Sequence, residues 1–271
     1  MPFIRSSSLL VRLLLSAAGA ALAADGGDQR SLFNPAPLAT MHEMSTDRPD
    51  TTESPYTVDA GHFQLEMSFF DYSRDGGGDS EAWSFGLVNF KAGLLPDTDL
   101  QLILDTWTRE RSSDTRSGFS DVTLRLKNNL WGNDGGKTAL ALMPYVKIPT
   151  GTELSNGEWE GGLIVPLCVS LSERVSLGLM AEMDIVHDED AGGHDVEWLH
   201  SATLGIGLTD RLGMYYELTG IAGVEREYEA LFNTGITFAV TENLIFDTGV
   251  RVGLNRAAED FGVFTGMSIR F

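Results

Sequence analysis

Apolar and polar residues alternate with a period of two along most of this chain. Val175, Leu177, Leu179, Ala181, Met183 and Ile185 interleave with Ser176, Gly178, Met180, Glu182 and Asp184. Leu244, Phe246, Thr248, Val250, Val252 and Leu254 interleave in the same way with Ile245, Asp247, Gly249, Arg251 and Gly253. On a β-strand successive side chains point to opposite faces, so each segment has one apolar face and one mostly polar face. A helix would place its apolar residues at i, i+3 and i+4 instead. Twelve such segments are predicted, at about 61–73, 82–94, 98–110, 118–131, 137–149, 157–171, 174–187, 195–208, 211–224, 227–240, 243–254 and 261–271. The phase slips near Val88, where a β-bulge is expected.

The connections alternate too. Every other one is tight and mostly acidic: Pro96-Asp97-Thr98, Ser172-Glu173-Arg174, Thr209-Asp210-Arg211 and Thr241-Glu242-Asn243, with Gly132–Gly136 in the remaining slot. The intervening connections, Arg74–Glu81, Arg111–Ser117, Thr150–Asn156, Asp188–His194 and Asn255–Asp260, are mostly longer. Short turns on one rim and longer loops on the other fit a barrel with periplasmic and extracellular ends. Trp83, Trp107, Trp131, Trp159 and Trp198, with Tyr72 and Tyr228, sit near segment ends, where an interfacial girdle is placed. The fold class expected is all-β, an antiparallel up-and-down transmembrane barrel of about twelve strands.

The two ends of the chain point to the same solvent. Residues 1–23 have the form of a secretory signal peptide, with Arg5 and Arg12, an apolar stretch from Leu9 to Leu15, and Ala21-Leu22-Ala23 as the cleavage site. Their removal takes away two arginines and no acids, so the net charge of −20 becomes −22. Such a charge argues against a nucleic-acid partner. Cys168 is the single cysteine, so no intrachain disulfide forms. No later apolar run is long enough for a membrane-spanning helix, and a closed barrel is the other structure that pairs every backbone group in lipid. In the last segment Phe261, Val263, Thr265, Met267, Ile269 and Phe271 face one way, and Phe264, Ser268 and Arg270 the other. An amphipathic strand ending on an aromatic resembles the closing strand of bacterial outer-membrane barrels. That resemblance implies that Phe271 belongs to an assembly signal and that the barrel-assembly machinery is a partner. The expected location is the bacterial outer membrane, with its lipid and lipopolysaccharide as surroundings.

Residues 24–59 lack the alternation and form a polar lead-in, periplasmic or lumenal, ahead of a barrel spanning 60–271. The lead-in contains Ser45-Thr46-Asp47-Arg48-Pro49-Asp50-Thr51-Thr52-Glu53-Ser54-Pro55-Tyr56-Thr57-Val58, followed by Gly61, Gln64 and Glu66. This string resembles the opening motif of a family of outer-membrane proteins named for the meta-cleavage pathway of phenol degradation, whose members are often described as transporters. The resemblance implies passive transport of small solutes, aromatic or hydrophobic ones included. Physically, Pro49 and Pro55 fix extended backbone, with Asp47, Arg48, Asp50 and Glu53 between and beside them. Arg48 is suited to a bidentate pair with a carboxylate inside the barrel. Docking of this segment to seal the periplasmic mouth is the expected role.

The faces opposite the apolar stripes carry Gln64, Glu66, Asp105, Arg109, Arg125, Lys127, Lys147, Glu182, Asp184, Glu217, Arg251 and Arg270. A lysine or arginine on the lipid side near the midplane costs roughly 2–4 kcal/mol, so these residues are expected to line the lumen. Such a lining either conducts or is salt-bridged shut, and a non-conducting structural or adhesive barrel is the rival. His187-Asp188-Glu189-Asp190 with His194-Asp195 puts imidazoles and carboxylates into one outer loop, but an acidic, solvated loop is the expected role. A lipid hydrolase would need a Ser–His pair. His200 and Ser201 are adjacent, hence on opposite faces, and cannot form one alone. The sequence therefore implies a small-solute channel with no enzyme activity, no cofactor and no metal.

Overall fold

The computed structural model describes residues 30–75, 80–188, 192–224 and 226–271, so the expected signal peptide lies outside the described residues. Thirteen strands follow in chain order: β1 (Phe63–Asp75), β2 (Ser80–Leu95), β3 (Thr98–Arg111), β4 (Thr115–Gly118), β5 (Val122–Trp131), β6 (Thr138–Ile148), β7 (Glu160–Ser172), β8 (Val175–Asp188), β9 (Gly193–Gly207), β10 (Leu212–Gly223), β11 (Glu229–Thr241), β12 (Leu244–Gly253) and β13 (Phe261–Arg270). β4 is a short piece beside the end of β3, and β5 continues the same stave after a break at 119–121. The sheet is therefore a twelve-stave antiparallel barrel, each stave paired with its sequence neighbours. The expected fourth segment is this interrupted stave.

Closure is made by β13 on β1, from Gln64 opposite Arg270 to Arg74 opposite Phe261. Phe63 and Phe271 exchange both backbone hydrogen bonds, at 2.9 and 3.0 Å, and their rings stack with Phe90 beside them. A closed ring leaves no sheet edge, which is what a hydrocarbon solvent demands. Excluding β4, the strands run 10 to 16 residues. At about 3.3 Å per residue even the shortest, tilted, crosses an apolar band of roughly 25 Å.

Burial is inverted relative to a water-soluble protein. Glu66, Lys91, Asp99, Gln101, Lys127 and Glu217 are almost fully buried, whereas Phe85, Trp107, Trp131, Trp198, Leu218 and Phe246 are exposed. Ordinarily a buried charge is costly and a wide apolar exterior aggregates; in lipid the apolar exterior is the solvated face.

The expected phase slip lies at Gly86, two residues before Val88. Gly86 has φ +68°, and Thr106 Oγ1 donates to the Phe85 carbonyl at 2.7 Å in the space a side chain at 86 would need. Across this irregularity Phe85 faces Trp107 and Leu87 faces Asp105, so the inward and outward faces exchange on β2 and β3 together. A second irregularity between Ser68 and Phe70 does the same on β1.

Removing Ile269-Arg270-Phe271 strips the pairing of β13 with both Leu65 and Leu244 and leaves unpaired backbone at the seam. The truncated protein is expected to lose the heat-modifiable mobility of a folded barrel on gels. Normal mobility would show that these residues are dispensable for closure.

Candidate functional site: a lumen filled by the lead-in segment

The lead-in turns into the barrel as a hairpin-shaped loop. Its limbs meet where the Ala36 N–H donates to the Ala60 carbonyl at 2.8 Å and where His42 contacts Asp59 at 2.6 Å. Deeper, Ser45 and Ser54 are joined through their hydroxyls at 2.6 Å, and the Ser54 N–H donates to Asp47 at 3.0 Å. The tip, residues 48–53, contains the cis Arg48–Pro49 bond. Pro residues and short polar side chains suit this segment to a loop whose polar groups are satisfied by the wall, not by a ladder.

Asp47 is the centre of the buried charge. It contacts Lys91 at 2.5 Å and Lys127 at 2.6 Å, and Lys91 also pairs with Glu66. Burial alone would raise the Asp47 carboxyl, but the two ammonium groups outweigh it and hold it well below the usual carboxylate range. Glu66 accepts the backbone N–H groups of Asp47 (3.1 Å) and Arg48 (3.0 Å), and Gln64 donates to Glu66 and to the Ser45 carbonyl, each at 2.8 Å.

Arg48 forks onto Asp247, with Nε at 3.0 Å and Nη2 at 2.6 Å, and its Nη1 donates to Ser68 at 2.5 Å. Gly266 lies beneath, and a Cβ there would meet the guanidinium at 2.5 Å. Thr51 and Thr52 donate their N–H groups to Glu217 at 2.9 and 2.8 Å, while the Thr52 hydroxyl reaches Ser201 at 2.6 Å and Thr203 at 2.7 Å. Glu53 pairs with Arg125. The Pro55 carbonyl accepts from Asn129 at 2.8 Å, and the Val58 N–H donates to Asp99 at 3.0 Å. Near the short-turn rim Arg270 donates to the His42 carbonyl at 2.8 Å. Asp50, by contrast, has burial and the nearby Glu217 carboxylate acting on it, and both push its carboxyl well above the ordinary value.

Of the residues expected on the lumen, Gln64, Glu66, Arg125, Lys127, Glu217 and Arg270 thus hold the lead-in. Arg251 faces inward but braces the wall, bidentate to Asp71 at 2.7 and 3.0 Å and to Glu259 at 2.7 Å. Lys147 pairs with Glu160 near the long-loop rim. Asp184 accepts from Tyr145 beside Glu182, and Asp105 faces inward with no arginine or lysine salt bridge among the described residues. Arg109 differs from the expectation. It stands opposite Trp83, on the outer face, because the exchange of faces at Gly86 and Thr106 separates its phase from that of Asp105.

Lys91, Asp99 and Asp247 join the lumen in addition to the residues expected there. Asp247 shares the stripe of Arg251, so its position was readable; the phase slip hid Lys91, and Asp99 follows a turn. His200 faces outward against Tyr228 at 3.0 Å, while Ser201 faces inward on Thr52. His187 and His194 are turned to the Gly193 and Trp159 carbonyls, at 3.0 and 2.8 Å, and residues 189–191 of the acidic loop lie outside the described residues. No group of three or more His, Cys, Asp or Glu suited to a metal occurs among the described residues.

The lead-in does not fill the whole lumen. A cleft of about 630 Å³ remains between it and the wall of β7–β11, bounded by Asp50, Tyr56, Cys168, Ser176, Thr203 and Tyr215. It extends to the turns at Glu173-Arg174 and Asp210.

A closed twelve-stave barrel with an apolar exterior and a polar, partly filled lumen defines the class of outer-membrane channel folds. The chain belongs to the family described as "Putative MetA-pathway of phenol degradation", whose profile matches residues 46–271. Among solved structures, an outer-membrane channel of Pseudomonas putida F1 superposes with a TM-score of 0.62 at 16% identity, covering 84% of this chain and 100% of that one. The NanC porin gives 0.55 at 7% identity (76% and 98% covered), and the KdgM porin 0.52 at 7% (78% and 99%). These likenesses establish the fold. No curated protein sequence matches the chain.

Asp47→Asn would leave Lys91 with Glu66 alone and Lys127 without its carboxylate. Breaking a buried pair by removing one partner costs about 3–5 kcal/mol. The lead-in of this variant is expected to become protease-sensitive while the barrel stays resistant; equal resistance of the lead-in would show that the pairs do not hold it.

Proposed function

We propose that the protein is a passive outer-membrane channel for small solutes, with the lead-in acting as a constriction inside the lumen. The observation that carries this reading is the cleft of about 630 Å³ between lead-in and wall. Its lining mixes carboxylate and hydroxyl groups with Tyr56, Tyr215, Leu167 and Met44, a surface suited to compounds with an aromatic ring and a polar substituent. The family's description supports aromatic solutes in the same direction. Catalysis is not part of this reading, since Ser201 bonds Thr52 of the lead-in and the adjacent His200 points to the outer face, against Tyr228. The short-turn rim and the lead-in face the periplasm, and the longer loops face outward.

The part of the lumen that the lead-in fills favours a second reading, a non-conducting structural barrel. Planar-bilayer recording separates the two. The full chain is expected to give small, defined conductance steps, and deletion of residues 24–59 to enlarge them several-fold with the barrel still folded. Silence from both proteins would refute the channel.

Asp50 supplies a pH dependence. Its carboxyl is raised when the tip is docked, so protonation favours docking. That contribution is fully present below about pH 4, the ordinary aspartate value, and is lost as pH rises through the raised value. Conductance is therefore expected to increase from acid towards neutral pH, and Asp50→Asn to flatten the profile. An unchanged profile in the variant would remove Asp50 from the gating.

A further inference from the structure

The outer wall carries almost no charge. The pairing register turns Leu65 and Met67 outward on β1, Leu124 on β5, Val146 and Ile148 on β6, Leu163 on β7, Leu218 on β10, Phe232 on β11, Val250 and Val252 on β12 and Val263 on β13. Along all the staves, the described outward positions hold only Arg74, Glu81, Arg109 and Arg111 as formally charged side chains. All four stand together at the long-loop ends of β1–β3: Arg74 opposes Glu81, Glu81 opposes Arg111, and Arg109 opposes Trp83. Three bases and one acid make these outward positions net positive, in a chain of net charge −20.

We propose that this corner docks the phosphate groups of a phosphorylated glycolipid in the outer leaflet. The inference rests on the outer-membrane setting of the barrel and is independent of conduction. Arg74, Glu81 and Arg111 form the outermost row, Arg109 shares the next with Trp83 and Tyr72, and Phe70, Phe85 and Trp107 form the row beneath. Trp83 packs on Tyr72 at 4.5 Å and on Phe70 at 5.6 Å, and Phe85 packs on Trp107 at 5.7 Å. Such a belt marks the boundary between hydrocarbon and headgroups. The arginines therefore stand at headgroup depth, where outward charge is cheap. Glu81 is already engaged by Arg111 at 3.2 Å, with Tyr72 at 3.5 Å.

A guanidinium fork matches a phosphate bidentately, which an ammonium cannot do. The adjoining aromatic row offers a seat for the acyl chains of the same molecule, and this favours a lipid over free phosphate. Arg109 reaches the corner only because the faces exchange at Gly86 and Thr106, so the irregularity in the wall and the basic corner are one feature.

The test is native mass spectrometry of the full chain in detergent with bis-phosphorylated lipid A, with the same lipid dephosphorylated, and with inorganic phosphate as competitor. Wild type is expected to hold the phosphorylated lipid about tenfold more tightly than the dephosphorylated one. The Arg109→Gln/Arg111→Gln variant should lose that preference, whereas Arg226→Gln, at an exposed ion pair elsewhere, should keep it. Heat-modifiable mobility checks folding, and Arg109→Gln alone, with an intermediate loss, serves if the double variant does not fold. Retention of the preference in the folded arginine variants would overturn the proposal. So would equal binding of the two lipids by wild type, or displacement of the lipid by inorganic phosphate at matched concentration, which would indicate a free-phosphate site.

Discussion

Every backbone N–H and C=O inside a hydrocarbon layer has to be paired within the protein, and the rest of this structure depends on that constraint. It closes the sheet, because an open edge would leave a row of unpaired groups. Closure sends one face of every strand to lipid and the other to a narrow interior. Period-two alternation then sorts the side chains, so that Glu66, Lys91, Lys127 and Glu217 are all buried on the inner face. Charges this deep need partners, and the wall alone does not supply enough of them.

The lead-in supplies the missing partners. Asp47 answers Lys91 and Lys127, Arg48 answers Asp247, and its backbone N–H groups answer Glu66 and Glu217. Arg48 spans Ser68 on β1 and Asp247 on β12, passing over Gly266 on β13. Those three strands flank the seam where the first stave meets the last. Docking of the lead-in and closure of the barrel are thereby coupled, and the same contacts that narrow the lumen brace its joint. Asp50 is the member whose charge state bears on docking, since burial and the Glu217 carboxylate push its carboxyl well above the ordinary value.

Much of this was legible in the sequence because alternation is a local signal. Val175–Ile185 and Leu244–Gly253 fall on strands with the predicted faces, and the alternating turn lengths reported which rim each turn occupies. The pairing of Arg48 with a carboxylate was readable as chemistry, but its partner was not: Asp247 lies 199 residues away and only register brings the two together. Arg109 shows the complementary limit. A single irregularity at Gly86 exchanges the faces beyond it, and a pattern read strictly by parity carries the residue to the wrong side. Asp99 directly follows a turn and Asn133 lies within one, where alternation does not report a face, so their contacts with Val58 and Thr57 had no sequence signal.

The central claim is that the lead-in lies docked in the lumen of the membrane-inserted protein, with Thr52 against Thr203 at 2.7 Å between hydroxyl oxygens. Disulfide cross-linking tests it most directly, with Thr52→Cys and Thr203→Cys combined in a Cys168→Ala background and oxidised in isolated outer membranes. A cross-link forming in high yield within the folded barrel is the predicted result. Persistent free thiols, with the cysteine at 52 open to water-soluble reagents, would contradict it.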